Sequence, residues 1–310
     1  MHKTLVRSIC VTGVLPLLFS LSSCGNPSPQ TRSIRYLFSP NSPQGQETLD
    51  YQIGATWDKT PVTPDMIEDG NPALRKAALA TAKVTVMYAT ATGFIVGQKN
   101  GQVLLATNNH VIEDQDFCDE TKVSFEYLGI KRMTCDKVIA TNTELDLTLF
   151  TVKGADPQTT ARLIAAALPI SKAAPRKGQN LLTLGYGFAG NAAKKLVVDQ
   201  SNDCKVFSMD GDVRYIADPD VVNPGKYKTW VFASGCDVSH GDSGSAMIDQ
   251  GTGEIVGILS TGKVPKNEKI RDANHLKSVF NSNSTEVWSE LTYVVPFSKV
   301  YELMGDILAD

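Results

Sequence analysis

Gly241, Asp242, Ser243, Gly244, Ser245 set a hydroxyl between two glycines, directly after an acid. Glycine on either side opens backbone conformations closed to other residues, so the run reads as a tight turn that exposes Ser243 before a strand restarts over 245–248. A serine alcohol attacks poorly on its own and needs a neighbouring base. Two upstream runs supply partners. Leu145, Asp146, Leu147 place an acid at the head of an apolar strand, and Thr107, Asn108, Asn109, His110, Val111 place an imidazole just after a hydrophobic strand. Base, acid and nucleophile therefore follow in the order His, Asp, Ser, at separations of 36 and 97 residues. Each run alone is commonplace, and the conjunction carries the argument. Glu144 competes for the acid role, but apolar neighbours on both sides give Asp146 the buried strand position.

Short β-rich segments surround these runs. Strands are expected over 84–87, 93–96 and 103–106, over a hairpin of 123–127 with 131–134, and over 137–140 and 145–152. Pro169, Lys172, Pro175, Arg176 and Lys177 mark a connection, after which strands resume at 180–184, 196–198, 205–208, 229–233, 245–248, 255–259 and 292–295. Asn71 before Pro72 and an alanine-rich stretch predicts a short capped helix. Val300, Leu303, Met304 and Ile307 recur at helical spacing within 297–308. The long polar stretches 210–228 and 264–290 read as loops.

At the N-terminus, Lys3 and Arg7 precede an apolar run from Ile9 to Leu21, followed by Ser22, Ser23 and Cys24. This is similar to a bacterial lipoprotein signal with its lipobox, and the alternative is an ordinary secretory peptide. The resemblance implies a mature chain beginning at a diacylated Cys24, exported and anchored to the cell envelope, with Gly25 favouring an outer membrane. The expected division is a signal over 1–23, a flexible tether and pro-like segment over 24–70, a first barrel over 71–170 holding His110 and Asp146, and a second barrel over 171–310 holding Ser243.

A formal charge of −3 from 30 basic and 33 acidic residues, with no basic block, argues against nucleic acid as a partner. Beyond the signal, Cys118, Cys135, Cys204 and Cys236 remain for an oxidising compartment and suggest two disulfides. Three pairings are open. Cys118 with Cys135 is favoured because the pair brackets a hairpin centred near Leu128 and Gly129, and Cys204 with Cys236 would tie down the serine loop. A zinc site is the rival, but no C-x-x-C spacing occurs. Nothing marks a metal site, a cofactor or an internal repeat, and no oligomeric state is implied.

Over residues 80–308 the three runs together resemble the trypsin-like, chymotrypsin-fold serine peptidases. The run from Thr107 to Val111 is also similar to the bacterial high-temperature-requirement branch, without room here for a PDZ domain. The loop from Cys236 to Ser245 is similar to the glutamyl-endopeptidase branch, and the choice between them stays open. The resemblance implies an all-β fold of two antiparallel six-stranded β-barrels with a C-terminal helix. It also implies a serine endopeptidase acting on polypeptides of the cell exterior through an acyl-enzyme.

In that reading Ser243 is the nucleophile, His110 the general base and Asp146 its orienting acid, with the backbone N–H groups of Gly241 and Ser243 as oxyanion hole. Ser260, Thr261 and Gly262 match the segment that pairs with substrate backbone, and the Ser260 hydroxyl is also within reach of a role at Asp146. Asp237, six residues before Ser243, matches the carboxylate at the floor of a pocket for basic side chains; the other reading is a loop-structuring carboxylate. His240 sits beside the oxyanion turn.

Two departures stand out. No cysteine follows His110 directly, and no zymogen-type N-terminus is evident. Asp242 would pair in that family with an amine freed by cleavage, so here a later cut near Ile53 supplies one, another partner replaces it, or Asp242 is solvated; the readings without cleavage are favoured. The alternative function is an inactive protease-fold binding lipoprotein. An esterase fits less well, because Ser245 breaks the G-x-S-x-G elbow.

Overall fold

The computed structural model describes residues 50–187, 195–217, 228–261, 268–282 and 291–308. The lipobox with Cys24, the 25–46 stretch and Gly262 lie outside them.

Two short strands, β1 (Asp50–Tyr51) and β2 (Thr60–Pro61), lead into helices α1 (Pro64–Glu68) and α2 (Pro72–Ala80). The expected cap of α2 is present: the Asn71 side chain accepts from the Ala73 N–H at 2.8 Å and Pro72 opens the first turn. Its apolar stripe of Leu74, Ala77 and Ala78 is buried.

Six strands follow, β3 (Thr81–Val86), β4 (Ala89–Lys99), β5 (Gln102–Thr107), β6 (Thr121–Phe125), β7 (Ile130–Asn142) and β8 (Leu147–Lys153). They close a barrel in the order β3-β4-β5-β8-β7-β6. Alternation drives the closure: Ala82, Val84 and Val86 of β3 are buried with Ile95, Leu105, Val123, Phe125 and Phe150 of neighbouring strands. Helix α3 (Gln115–Asp119) bridges β5 and β6, and its Cys118 forms a disulfide with Cys135 of β7. Helix α4 (Pro157–Ala165), capped by Asp156, closes the first half.

The second half holds β9 (Leu181–Gly185), β10 (Val197–Asp199), β11 (Arg214–Ala217), β12 (Lys228–Ser234), β13 (Val238–Ser239), β14 (Ala246–Asp249), β15 (Ile255–Thr261) and β16 (Thr292–Pro296). The chain is thus mostly β, in the chymotrypsin-like arrangement, with a closed six-stranded barrel and a second sheet. That second sheet has eight strands in the order β11-β12-β16-β15-β14-β9-β10-β2, where a six-stranded cylinder was expected. The edge strand β2 comes from the N-terminal segment. Helix α6 (Phe297–Leu308) packs Phe297, Val300 and Met304 on the core, with the Phe297 ring 6.0 Å from Phe94 of the barrel. The expected Cys204–Cys236 disulfide is formed.

Three expectations are corrected. Residues 50–70, assigned to the flexible tether, are strand, helix and buried side chain, because Ile53 and Val62 pack into the core. The 205–208 stretch makes only the isolated bridges Asn180 to Lys205 and Val206 to Ser234, since Phe207 turns its ring onto Phe280, 5.2 Å away. Within the polar 264–290 stretch, α5 (Ala273–Asn281) forms where Asp272 caps the His275 N–H and Leu276 is buried.

Candidate active site

Where β5 ends, the Thr107 hydroxyl donates to the Thr92 carbonyl at 2.8 Å, and the chain turns out of the barrel through Asn108 and Asn109. Val111 and Ile112 N–H both donate to the Asn108 carbonyl at 3.2 Å, a single helical turn that carries His110. Two asparagines bind this turn to the loop before β8. The Asn108 amide and the Asn109 backbone N–H each donate to the Asp146 carbonyl at 3.0 Å. The Asn109 amide donates to Thr148 Oγ1 at 3.3 Å.

His110 then meets Asp146 twice. Its backbone N–H donates to Oδ1 at 3.0 Å, and its ring Nδ1 lies 2.7 Å from Oδ2. Both side chains are buried, at 5 % and 4 % exposure. Asp146 adopts φ +41°, a left-handed conformation costly for a residue with a Cβ. Fully buried Leu145 and Leu147 hold it there. The Ser260 hydroxyl of β15 donates to Oδ2 at 2.7 Å. Burial pushes the Asp146 carboxyl up, but the facing His110 charge and the bonds from His110 and Ser260 outweigh it and hold the carboxyl below its ordinary value.

The serine turn is fixed from the barrel side. Thr92 of β4 donates its N–H to the Ser243 carbonyl at 2.9 Å and its hydroxyl to the Gly241 carbonyl at 2.8 Å. Gly244 N–H donates to the Leu259 carbonyl at 3.1 Å. With their carbonyls so engaged, Gly241 and Ser243 have backbone N–H groups that make no hydrogen bond among the described residues. Gly241 has φ +98° and packs on the Tyr186 carbonyl; Gly244 has φ +84° and packs on the Thr92 carbonyl and Thr107 hydroxyl, where a Cβ would overlap. Ser243 is half-buried, and the next residue, Gly244, lies against Thr107, from which the His110 turn departs. No hydrogen bond joins Ser243 Oγ to His110 Nε2 in this structure. Thr92 carries no motif that sequence reasoning could single out.

The remaining residues divide. Ser260 serves Asp146, Thr261 ends β15, and His240 stands exposed at the rim. The His240 imidazole is drawn below its ordinary value by desolvation and then by His110. Asp237, read either as a pocket-floor or as a loop-structuring carboxylate, is 1 % exposed, and both its oxygens are taken: Oδ1 by the Ile53 N–H at 2.8 Å and Oδ2 by the Asp58 N–H at 2.7 Å. Its carboxylate therefore ties the N-terminal segment down. Asp242 is also buried. Its Oδ1 accepts from Gly187 N–H at 3.0 Å, and its Oδ2 accepts from Ser239 N–H at 2.9 Å and lies 2.7 Å from Lys59 Nζ. Lys59 lies in the stretch assigned to the tether, and nothing local in the sequence marks it. Asp199, Cys204 and Cys236 offer metal-ligand atoms within 4.8 Å of one another, but the disulfide consumes both sulfurs.

The sequence profile of the trypsin-like peptidase domain matches residues 91–258. No curated protein matches the chain in sequence. Among solved structures, the Rv3671c protease of M. tuberculosis in its inactive form is 16 % identical with a TM-score of 0.51, covering 80 % of this chain and 97 % of that one. Its active form is 17 % identical with a TM-score of 0.51, covering 80 % and 88 %. At these identities the likeness is one of fold.

Asp237 generates a pH prediction. Desolvation first, then the neighbouring Asp199 charge, pushes its carboxyl up to about 8, and Asp199 is raised as well, chiefly by burial. A carboxyl raised by folding binds more protons in the native than in the unfolded state. The stability it contributes is present at acid pH and is lost as pH rises towards 8. Urea midpoints are expected to fall between pH 5 and pH 9, with a flatter dependence in Asp237→Asn; equal slopes in the two proteins would contradict this assignment.

Proposed function

The chain belongs to the trypsin-like peptidase domain family, and on that premise we propose that it is a serine endopeptidase working through Ser243, His110 and Asp146. The observation that carries this reading is the 2.7 Å contact between His110 Nδ1 and Asp146 Oδ2, at a carboxylate also bonded by Ser260 and beside a clamped serine turn. A carboxylate on Nδ1 keeps the proton there in the neutral imidazole, leaving Nε2 to accept one.

In the proposed reaction Ser243 Oγ attacks the carbonyl carbon of the scissile peptide bond while its proton passes to His110 Nε2. The oxyanion of the tetrahedral intermediate takes hydrogen bonds from the Gly241 and Ser243 N–H groups, worth about 3 kcal/mol per donor in comparable sites. His110 then protonates the leaving amine, the C–N bond breaks, and an acyl-enzyme remains. Water, deprotonated by the same imidazole, hydrolyses it and frees Ser243. Substrates are extended segments of polypeptides outside the cytoplasm, met by an enzyme exported and lipid-anchored at Cys24. Two disulfides and the lipobox-like N-terminus support that placement.

A fluorophosphonate probe is expected to label the wild-type chain at Ser243 and to leave Ser243→Ala untouched. Absence of label on folded wild-type protein would favour the binding-lipoprotein alternative. Because Asp237 is buried and engaged by backbone N–H groups, cleavage-site profiling with a diverse peptide pool is expected to show no enrichment of Lys or Arg before the scissile bond. A tenfold or greater enrichment would return Asp237 to the substrate pocket.

A further inference from the structure

We infer that Lys59 is the positioning residue of the oxyanion turn: its ammonium, delivered by residues 50–61 strapped along the serine loop, holds Asp242 and so shapes the backbone that presents the Gly241 and Ser243 N–H groups. This rests on the peptidase reading only for its kinetic readout.

The ion pair is sealed from water. Lys59 Nζ and Asp242 Oδ2 are 2.7 Å apart, with side-chain exposures of 1 % and 0 %. A buried carboxylate stripped of its countercharge is strongly disfavoured, so the ammonium decides whether Asp242 stays where it is. The seat for that carboxylate is built in. Gly185 and Gly187 both present bare α-carbons to it, and a Cβ at either would overlap its oxygens. The Gly187 N–H, the Ser239 N–H and the Ser239 hydroxyl, at 3.0, 2.9 and 3.3 Å, complete the shell.

Asp242 stands between the two donors of the oxyanion hole. Its own N–H donates to the Ser239 carbonyl at 3.0 Å, and its carbonyl accepts from the Ser245 N–H at 2.9 Å. Displacing the side chain therefore rotates the peptide units on both sides of it.

Lys59 is brought there by a strap with few degrees of freedom. Asp50 and Tyr51 pair with Ser239 and Val238. Ile53 and Asp58 hang their N–H groups on Asp237. Gly54 N–H donates to the Ile270 carbonyl at 3.0 Å, and Thr60 and Pro61 pair with Val198 and Val197. The strap is thus fastened to the serine loop on one side of Lys59 and to β10 on the other. A compact ammonium suits the closed site better than a guanidinium fork. In place of an amine freed by cleavage, a side chain of the intact strap completes the turn, so the uncut chain is competent.

The test uses the full chain. In Lys59→Met, kcat on a peptide ester is expected to fall at least a hundredfold, with KM within threefold of wild type and fluorophosphonate labelling slowed in proportion. Backbone hydrogen exchange over 239–245 should speed at least tenfold while the first barrel stays unchanged. In Lys59→Ala, ethylammonium should restore kcat saturably and raise the melting temperature, whereas tetramethylammonium, whose bulky charged end cannot approach Asp242 in the closed site, should do neither. Wild-type kcat and unchanged exchange in Lys59→Met would overturn the proposal. So would a wild-type chain that becomes active only after cleavage between residues 50 and 59. Should wild-type protein take no probe, the peptidase reading fails, and the exchange measurement still decides the role of Lys59: acceleration over 239–245 supports it, and none overturns it.

Discussion

A single buried carboxylate organises the site. Asp146 is removed from water, a change that by itself disfavours its charge, and the fold answers by surrounding it. The His110 N–H, the His110 ring and the Ser260 hydroxyl bond its two oxygens, while Asn108 and Asn109 bond its carbonyl. All but Ser260 come from the turn after β5, in the same half as Asp146, so the barrel assembles the His110–Asp146 pair and docking of the second sheet adds the Ser260 bond. The left-handed backbone at Asp146 is retained because the leucines on either side are locked in the core.

Docking of the two halves is itself specific. One apolar cluster runs through both, from Phe94, Leu104 and Leu149 of the barrel to Leu184, Ile258 and Phe297 beyond it. Non-directional burial brings the surfaces together, and Thr92 then sets the register by clamping the Gly241 and Ser243 carbonyls while its hydroxyl accepts from the Tyr186 N–H at 3.0 Å. His110, Asp146 and Ser243 flank this seam, with Ser243 half-buried.

Much of this was legible in the chain. The three short runs around His110, Asp146 and Ser243 stood out through residue type and order, and β-rich segments between turn residues announced the barrel strands. The capped helix at Asn71 and both disulfides also followed from local pattern. What escaped depends on partners far away in sequence. Lys59 is an ordinary lysine in a polar stretch until Asp242 is placed 2.7 Å from it, and the two readings of Asp237, pocket floor or loop-structuring carboxylate, separate only once Ile53 and Asp58 cover it. The second sheet gains its edge strand from residues 60–61, a two-residue pairing too short to show a period. Helix α5 was hidden because only one of its residues, Leu276, is fully buried.

The central claim is that Asp146 dictates which nitrogen of His110 carries the proton. Nitrogen-15 NMR of histidine-labelled protein reads this directly, and with four histidines in the chain the resonances can be assigned by substitution. At a pH where His110 is neutral, the account requires the proton on Nδ1, with that proton's resonance shifted downfield by its hydrogen bond, and its transfer to Nε2 in Asp146→Asn. A neutral His110 protonated at Nε2 in the wild-type protein would contradict it.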